Sequence, residues 1–158
     1  MVDRSPRVLT SAAVGLTAVV GTLGTDVTSS WYRHLAKPPW QPPGWAFGPA
    51  WTTLYVLLAG AGGRALARAD PPGRRSYATA YGVNLALNAG WTWTFFRARR
   101  PAAAVLESAA LTASTIDLMR RTRHLDRAAG AALAPYAAWT AFATALSAHI
   151  ARRNPGAD

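Results

Sequence analysis

SYATAYGVNLALNAGWTWTFF, residues 76–96, runs for 21 residues without a charged side chain and ends at Arg97. A helix of about 20 mostly apolar residues is long enough to cross a hydrocarbon layer of ~30 Å. Outward from it, comparable stretches recur. Val8 to Thr25 has 18 residues without charge, Phe47 to Gly63 has 17, and Ala128 to Ala151 has 24, with His149 its one ionisable group. Ala102 to Met119 is apolar apart from Glu107 and Asp117. The arginines crowd into the connections: Arg74 and Arg75, then Arg97, Arg99 and Arg100, then Arg120, Arg121, Arg123 and Arg127. A soluble alanine-rich bundle would carry charge on one face of each helix at a 3.6-residue period, and these stretches carry it on none. The pattern predicts an all-α integral membrane protein, a five-transmembrane-helix bundle. A single domain covers 1–158, with spans at about 8–25, 47–69, 76–96, 101–119 and 128–151 and a loop at 26–46.

Composition agrees. Charged residues make up 15% of the 158, against ~25% in an average soluble domain. Lys and Arg number 17 against 7 Asp and Glu, a net charge of +10. Clusters confined to short loops suit a membrane surface and no nucleic acid, whose backbone calls for a continuous basic stripe. Five spans place ten cations with the N-terminus and seven on the other side, which favours a cytoplasmic N-terminus. The expected location is multi-pass, in the cell membrane. Residues 1–25 read as a retained span, because no A-x-A site follows the apolar run.

Several chemistries drop out. Without cysteine there is no disulfide, thiolate metal site or thiol nucleophile. Phosphate-loop, dinucleotide and zinc-protease motifs are missing. His34, His124 and His149 lie in or near separate connections, so no metal site is expected; an interfacial, solvated histidine is the simpler reading, and His34, inside the loop, is the best placed. Glu107 and Asp117 fall on different faces of one span and form no acid/base pair. Glu107 is expected to bond a neighbouring helix or an arginine of the 97–100 cluster. Gly82, Ala86 and Gly90, spaced by four, suit close helix packing.

The loop into the second span is the unusual segment. Residues 31–51 hold five of the eleven prolines and four of the seven tryptophans. Pro38, Pro39, Pro42 and Pro43 forbid regular helix and stiffen the chain. The indoles fit either an interfacial belt or the cap of a pocket. In the third span Tyr81, Asn84, Asn88, Trp91 and Phe95 share one helical face. Two amides in hydrocarbon need a partner helix or a ligand, and both readings stand. Trp51 and Tyr55 in the second span, and Tyr136, Trp139 and Phe142 in the fifth, form further aromatic faces. Together they suit a flat, mostly apolar ligand with polar edges.

Five motifs in order carry a family likeness: W-Y-x-x-L-x-K-P-x-W-x-P-P-x-W at 31–45, F-G-P-A-W-x-x-L-Y at 47–55, N-L-A-L-N-x-x-W at 84–91, F-F-x-A-R-R at 95–100 and P-Y-x-x-W-x-x-F at 135–142. The chain resembles the TspO/MBR family of tryptophan-rich sensory and translocator proteins. The resemblance implies a five-helix membrane bundle, a homodimer, and a loop capping a pocket for porphyrins such as protoporphyrin IX or haem and for benzodiazepine-type ligands; no cofactor is required. Carried over, the ligand site comprises Trp31, Tyr32 and Pro43 from the loop, Trp51 and Tyr55, then Asn84, Asn88 and Trp91, and finally Tyr136 and Trp139. The implied role is a porphyrin sensor regulating tetrapyrrole or stress responses. Two alternatives are light-dependent porphyrin breakdown, with Trp51 and Trp139 as candidate catalytic groups, and transport of porphyrin or small lipophilic molecules. The sequence departs from the family at Leu146-Ser147, where Leu-Asn is usual. After it, Ala148, His149 and Ile150 supply no tyrosine, which counts against sterol binding through that element.

Overall fold

The computed structural model describes residues 5–157. It is helical throughout: α1 (Ser5–Gly24), α2 (Ser30–His34), α3 (Gly44–Arg68), α4 (Pro71–Thr92) continuing into a π-helical turn (Trp93–Arg97), α5 (Pro101–Leu125), α6 (Arg127–Ala132) and α7 (Ala134–Arg153). The windows at 47–63 and 102–119 lie within single helices, that at 8–25 runs one residue past α1, that at 76–96 passes from α4 into the π-helical turn, and that at 128–151 is divided.

Caps rather than charges set the ends. Asp70 accepts from the Gly73 N–H at 3.0 Å and Pro71 opens the first turn, so α4 starts five residues before its charge-free stretch and takes in Arg74 and Arg75. At the far end of α5 the helix runs past Met119 to Leu125, because arginine is a good helix former. The window at 128–151 breaks at Leu133, since Pro135 has no N–H to give to the carbonyl of Ala131. The loop is not wholly irregular: the Ser29 hydroxyl accepts from the Tyr32 N–H at 3.3 Å and caps α2. Only after Leu35 do the prolines hold the chain extended, and Pro43 caps α3, which starts at Gly44, three residues ahead of the expected span.

α1 packs on α3 and α4, and α5 on α4 and α7. Glycines permit the closest approach on α3: a Cβ on Gly62 would stand 2.5 Å from the Tyr81 ring. Of the small residues on α4, Gly82 faces open space, and a Cβ on Gly90 would press on the Glu107 carboxylate. Glu107 therefore lies half-buried against α4. It makes no ion pair with the 97–100 arginines among the described residues; Arg97 pairs with Asp26 at 3.9 Å and donates to the Leu23 carbonyl.

The outside is apolar. Val8, Leu9, Leu16, Val19 and Leu23 form the exposed face of α1, with Leu16 at 66% exposure, and Leu106 on α5 reaches 75%. A run of large aliphatic side chains over the whole length of a helix is an aggregating surface in water and an ordinary one in lipid. α1 and α5 combine span length with a mean hydropathy of 1.4 and 1.3. Purified protein should accordingly need detergent and give a strongly helical far-ultraviolet circular dichroism spectrum. Recovery as a monodisperse monomer from detergent-free buffer would contradict this reading.

Candidate ligand site beneath the Trp/Pro loop

The aromatic and amide faces separate into two zones. Midway along the bundle lies a chain of hydrogen bonds crossing four helices. Tyr55 OH on α3 donates to Asn88 Oδ1 at 2.8 Å, and Asn88 Nδ2 donates to Tyr136 OH on α7 at 3.0 Å. The Tyr136 hydroxyl donates in turn to Asn84 Oδ1 at 2.9 Å. Asn84 Nδ2 closes the chain on Thr115 Oγ1 and Ser114 Oγ of α5, at 3.0 and 3.3 Å. Asn84 is 0% exposed, and both amides use oxygen and nitrogen alike on neighbouring helices. A saturated network of this kind fixes helix register and leaves little for a ligand to bond.

Trp51 leans over this network, with ring centroids 5.5 Å from Tyr55, 6.4 Å from Tyr136 and 6.3 Å from Trp139. Toward the loop the rings continue. Trp139 meets Phe47 and Phe142, Phe142 meets Trp40, and Trp40 stands edge-on to His149 at 5.4 Å. On the other flank Trp31 and Tyr32 pack on Phe95, which stacks on Trp91 at 5.4 Å. The π-helical turn inserts one residue per turn, which is why adjacent Phe95 and Phe96 are both buried.

This loop-end zone differs from the amide network in one respect. Among the described residues, three buried polar atoms there have no hydrogen-bond partner: Trp91 Nε1, His149 Nε2 and Gln41 Oε1. The indole N–H can only donate and the amide oxygen only accept, whereas the imidazole nitrogen can do either. Burying such atoms unpaired costs about 1–3 kcal/mol each, and a ligand that pairs them recovers that energy.

The loop is tied to the end of the chain. Asn154, just past α7, makes a two-way bond with the backbone of Ala36, donating to its carbonyl at 3.0 Å and accepting from its N–H at 2.8 Å. Trp31 Nε1 donates to the Ala157 carbonyl. Lys37 Nζ donates to the Tyr32 carbonyl and lies 4.3 Å above the Tyr32 ring; its burial lowers the ammonium pKa.

Of the residues expected at the site, Trp51, Tyr55, Asn84, Asn88, Tyr136 and Trp139 form one connected set. Trp31, Tyr32 and Trp91 belong to the other. Pro43 lies exposed at the head of α3. Gln41 escaped the sequence reading, and His149 reads there as an interfacial, solvated group. The spacing Trp139, Phe142, Leu146, His149 on α7 would have placed the histidine on the aromatic face. Trp45, 78% exposed, suits the interfacial belt.

Among the described residues, long helices with exposed aliphatic faces and an aromatic zone beside a tethered loop suit an all-α membrane protein. The chain belongs to the TspO/MBR family, whose profile matches residues 8–153. It is 33% identical to the tryptophan-rich protein TspO of Chlorobaculum tepidum, over 94% of this chain and 98% of that one. It is 35% identical to the tryptophan-rich sensory protein of Cereibacter sphaeroides, over 90% and 87% of the two chains. To the translocator protein of Ovis aries it is 33% identical, over 91% and 90%.

Proposed function

We propose that this chain crosses the membrane with five helices and binds a porphyrin-type ligand beneath its Trp/Pro loop, acting as a sensor of that ligand. The polar residues that lower the hydropathy of α4, Tyr77, Tyr81, Asn84 and Asn88, are buried, while Val83 on α4 and Val56 on α3 are exposed. Support for the ligand comes chiefly from the three unpartnered polar atoms among the loop-end rings. A porphyrin offers a broad π-surface to Trp, Phe and Tyr, carboxylate oxygens to the Trp91 N–H, and pyrrole N–H groups to Gln41 Oε1. The names of the relatives, sensory protein and translocator protein, fit a role in which occupancy beneath the loop is read by something outside it.

The test is a titration of detergent-solubilised protein with protoporphyrin IX in the dark, followed by tryptophan fluorescence. Saturable quenching near one porphyrin per chain is expected. Linear quenching equal to that of free tryptophan would overturn the proposal. A second reading, light-dependent breakdown of the bound porphyrin, is favoured by the edge-to-face contact of Trp51 with Trp139. Illuminating the same samples separates the readings: breakdown that Trp51→Phe abolishes without loss of binding would make the protein an enzyme.

A further inference from the structure

At the end of the bundle away from the loop, the turn from α5 into α6 forms a cleft of about 350 Å³. Its lining is Arg120, Arg123, His124 and Arg127, cationic or potentially cationic on every side. Among the described residues, none of these four side chains makes an ion pair or a hydrogen bond. The nearby carboxylates are already engaged. Asp126 is held by Arg64 at 2.7 Å and by Arg68, and Asp117 is held by Arg121 at 2.6 Å. Three guanidiniums thus converge without a counter-charge, and guanidinium stays protonated at any working pH.

The cleft is also preformed. Asp126 accepts from the Ala129 N–H at 3.0 Å and caps α6, while its second oxygen takes the arginines of α3. α6 then returns so closely that a Cβ on Gly130 would stand 2.6 Å from the Arg123 backbone. The arginines therefore project from a fixed turn, and ordering the backbone costs an incoming anion nothing further.

Position decides which anion. The cleft stands at the end of a helix with the length and hydropathy of a membrane span, at the depth of phosphate headgroups. Beside it Arg121, the chain neighbour of Arg120, is already held by Asp117 and Ser76 in a separate, mostly polar groove between α4 and α5. Lipid phosphates are concentrated at that depth, and free phosphate is not. We propose that this cleft is a binding site for the phosphate headgroup of an anionic phospholipid. Bidentate guanidinium–phosphate pairing supplies the recognition.

Protein reconstituted into nanodiscs of equal phosphatidylglycerol and phosphatidylcholine, then extracted in mild detergent, should retain phosphatidylglycerol. Native mass spectrometry should find it bound roughly tenfold more often than phosphatidylcholine, as a few charge-assisted hydrogen bonds allow. The triple variant Arg120→Gln, Arg123→Gln, Arg127→Gln should lose that preference while keeping the wild-type helix content and lipid-free melting temperature. Arg152→Gln with Arg153→Gln, at the opposite end, should keep the preference. An undiminished preference in a folded triple variant, or equal retention of the two lipids by wild type, would overturn the proposal. So would inorganic phosphate at millimolar concentration raising the melting temperature as much as phosphatidylglycerol, which would mark a site for free anions. None of these readouts involves porphyrin, so they stand or fall apart from the loop-end site.

Discussion

Replacing Asn88 with leucine should destabilise the protein by about 1–3 kcal/mol, the cost of leaving a buried hydroxyl without its acceptor, and leave porphyrin affinity within roughly twofold. Leucine fills nearly the same volume but takes the acceptor from Tyr55 OH and the donor from Tyr136 OH. Removing the phenol as well should rescue part of the loss: Tyr55→Phe combined with Asn88→Leu leaves fewer unpaired groups than Asn88→Leu alone. A thermal melt in detergent without ligand measures both. Unchanged stability accompanied by a tenfold fall in affinity would show that the amide serves the ligand instead of the bundle.

Asp126→Ala should cost about 2 kcal/mol. The carboxylate is buried, caps α6 and faces two arginines, so its removal loses a cap worth ~1 kcal/mol and strands two cations. Arg64 and Arg68 are half-exposed and water screens them, which keeps the total well below the ~3–5 kcal/mol of a wholly buried pair. Asp126→Asn, which keeps the cap acceptor, should recover about half. The measurement is the shift of the unfolding midpoint of each variant. Equal midpoints for wild type and the alanine variant would mean that the α5–α6 turn is held by packing alone.

What could be read from the chain follows from which forces are local. Windows without charge located the long helices, because a missing charge is visible residue by residue. Their ends lay elsewhere, since Asp70 with Pro71, Pro43 and Pro135 act through backbone hydrogen bonds that hydropathy ignores. The shared face of Tyr81, Asn84, Asn88 and Trp91 was legible from helical spacing. What each amide bonds was not, because Tyr55, Thr115 and Tyr136 come from helices 30 to 50 residues away in sequence, brought in by packing. For the same reason His149 read as a solvated end-of-helix residue. Its burial depends on Trp40, delivered by a loop whose course is set by the Asn154–Ala36 bonds. Pro43, within a matching motif, also stands at the head of α3, a position that the motif alone does not reveal.

The loop-end placement of the ligand is tested most directly by comparing His149→Leu with Asn88→Leu in the dark protoporphyrin IX titration, each variant also melted without ligand. His149→Leu removes a buried nitrogen that has no partner, so the ligand-free protein should melt at or above the wild-type temperature while affinity falls roughly two- to tenfold. Asn88→Leu should do the opposite, melting lower with affinity nearly kept. The reverse pattern, wild-type affinity in His149→Leu and lost affinity in Asn88→Leu, would put the ligand at the amide network and contradict the site beneath the loop.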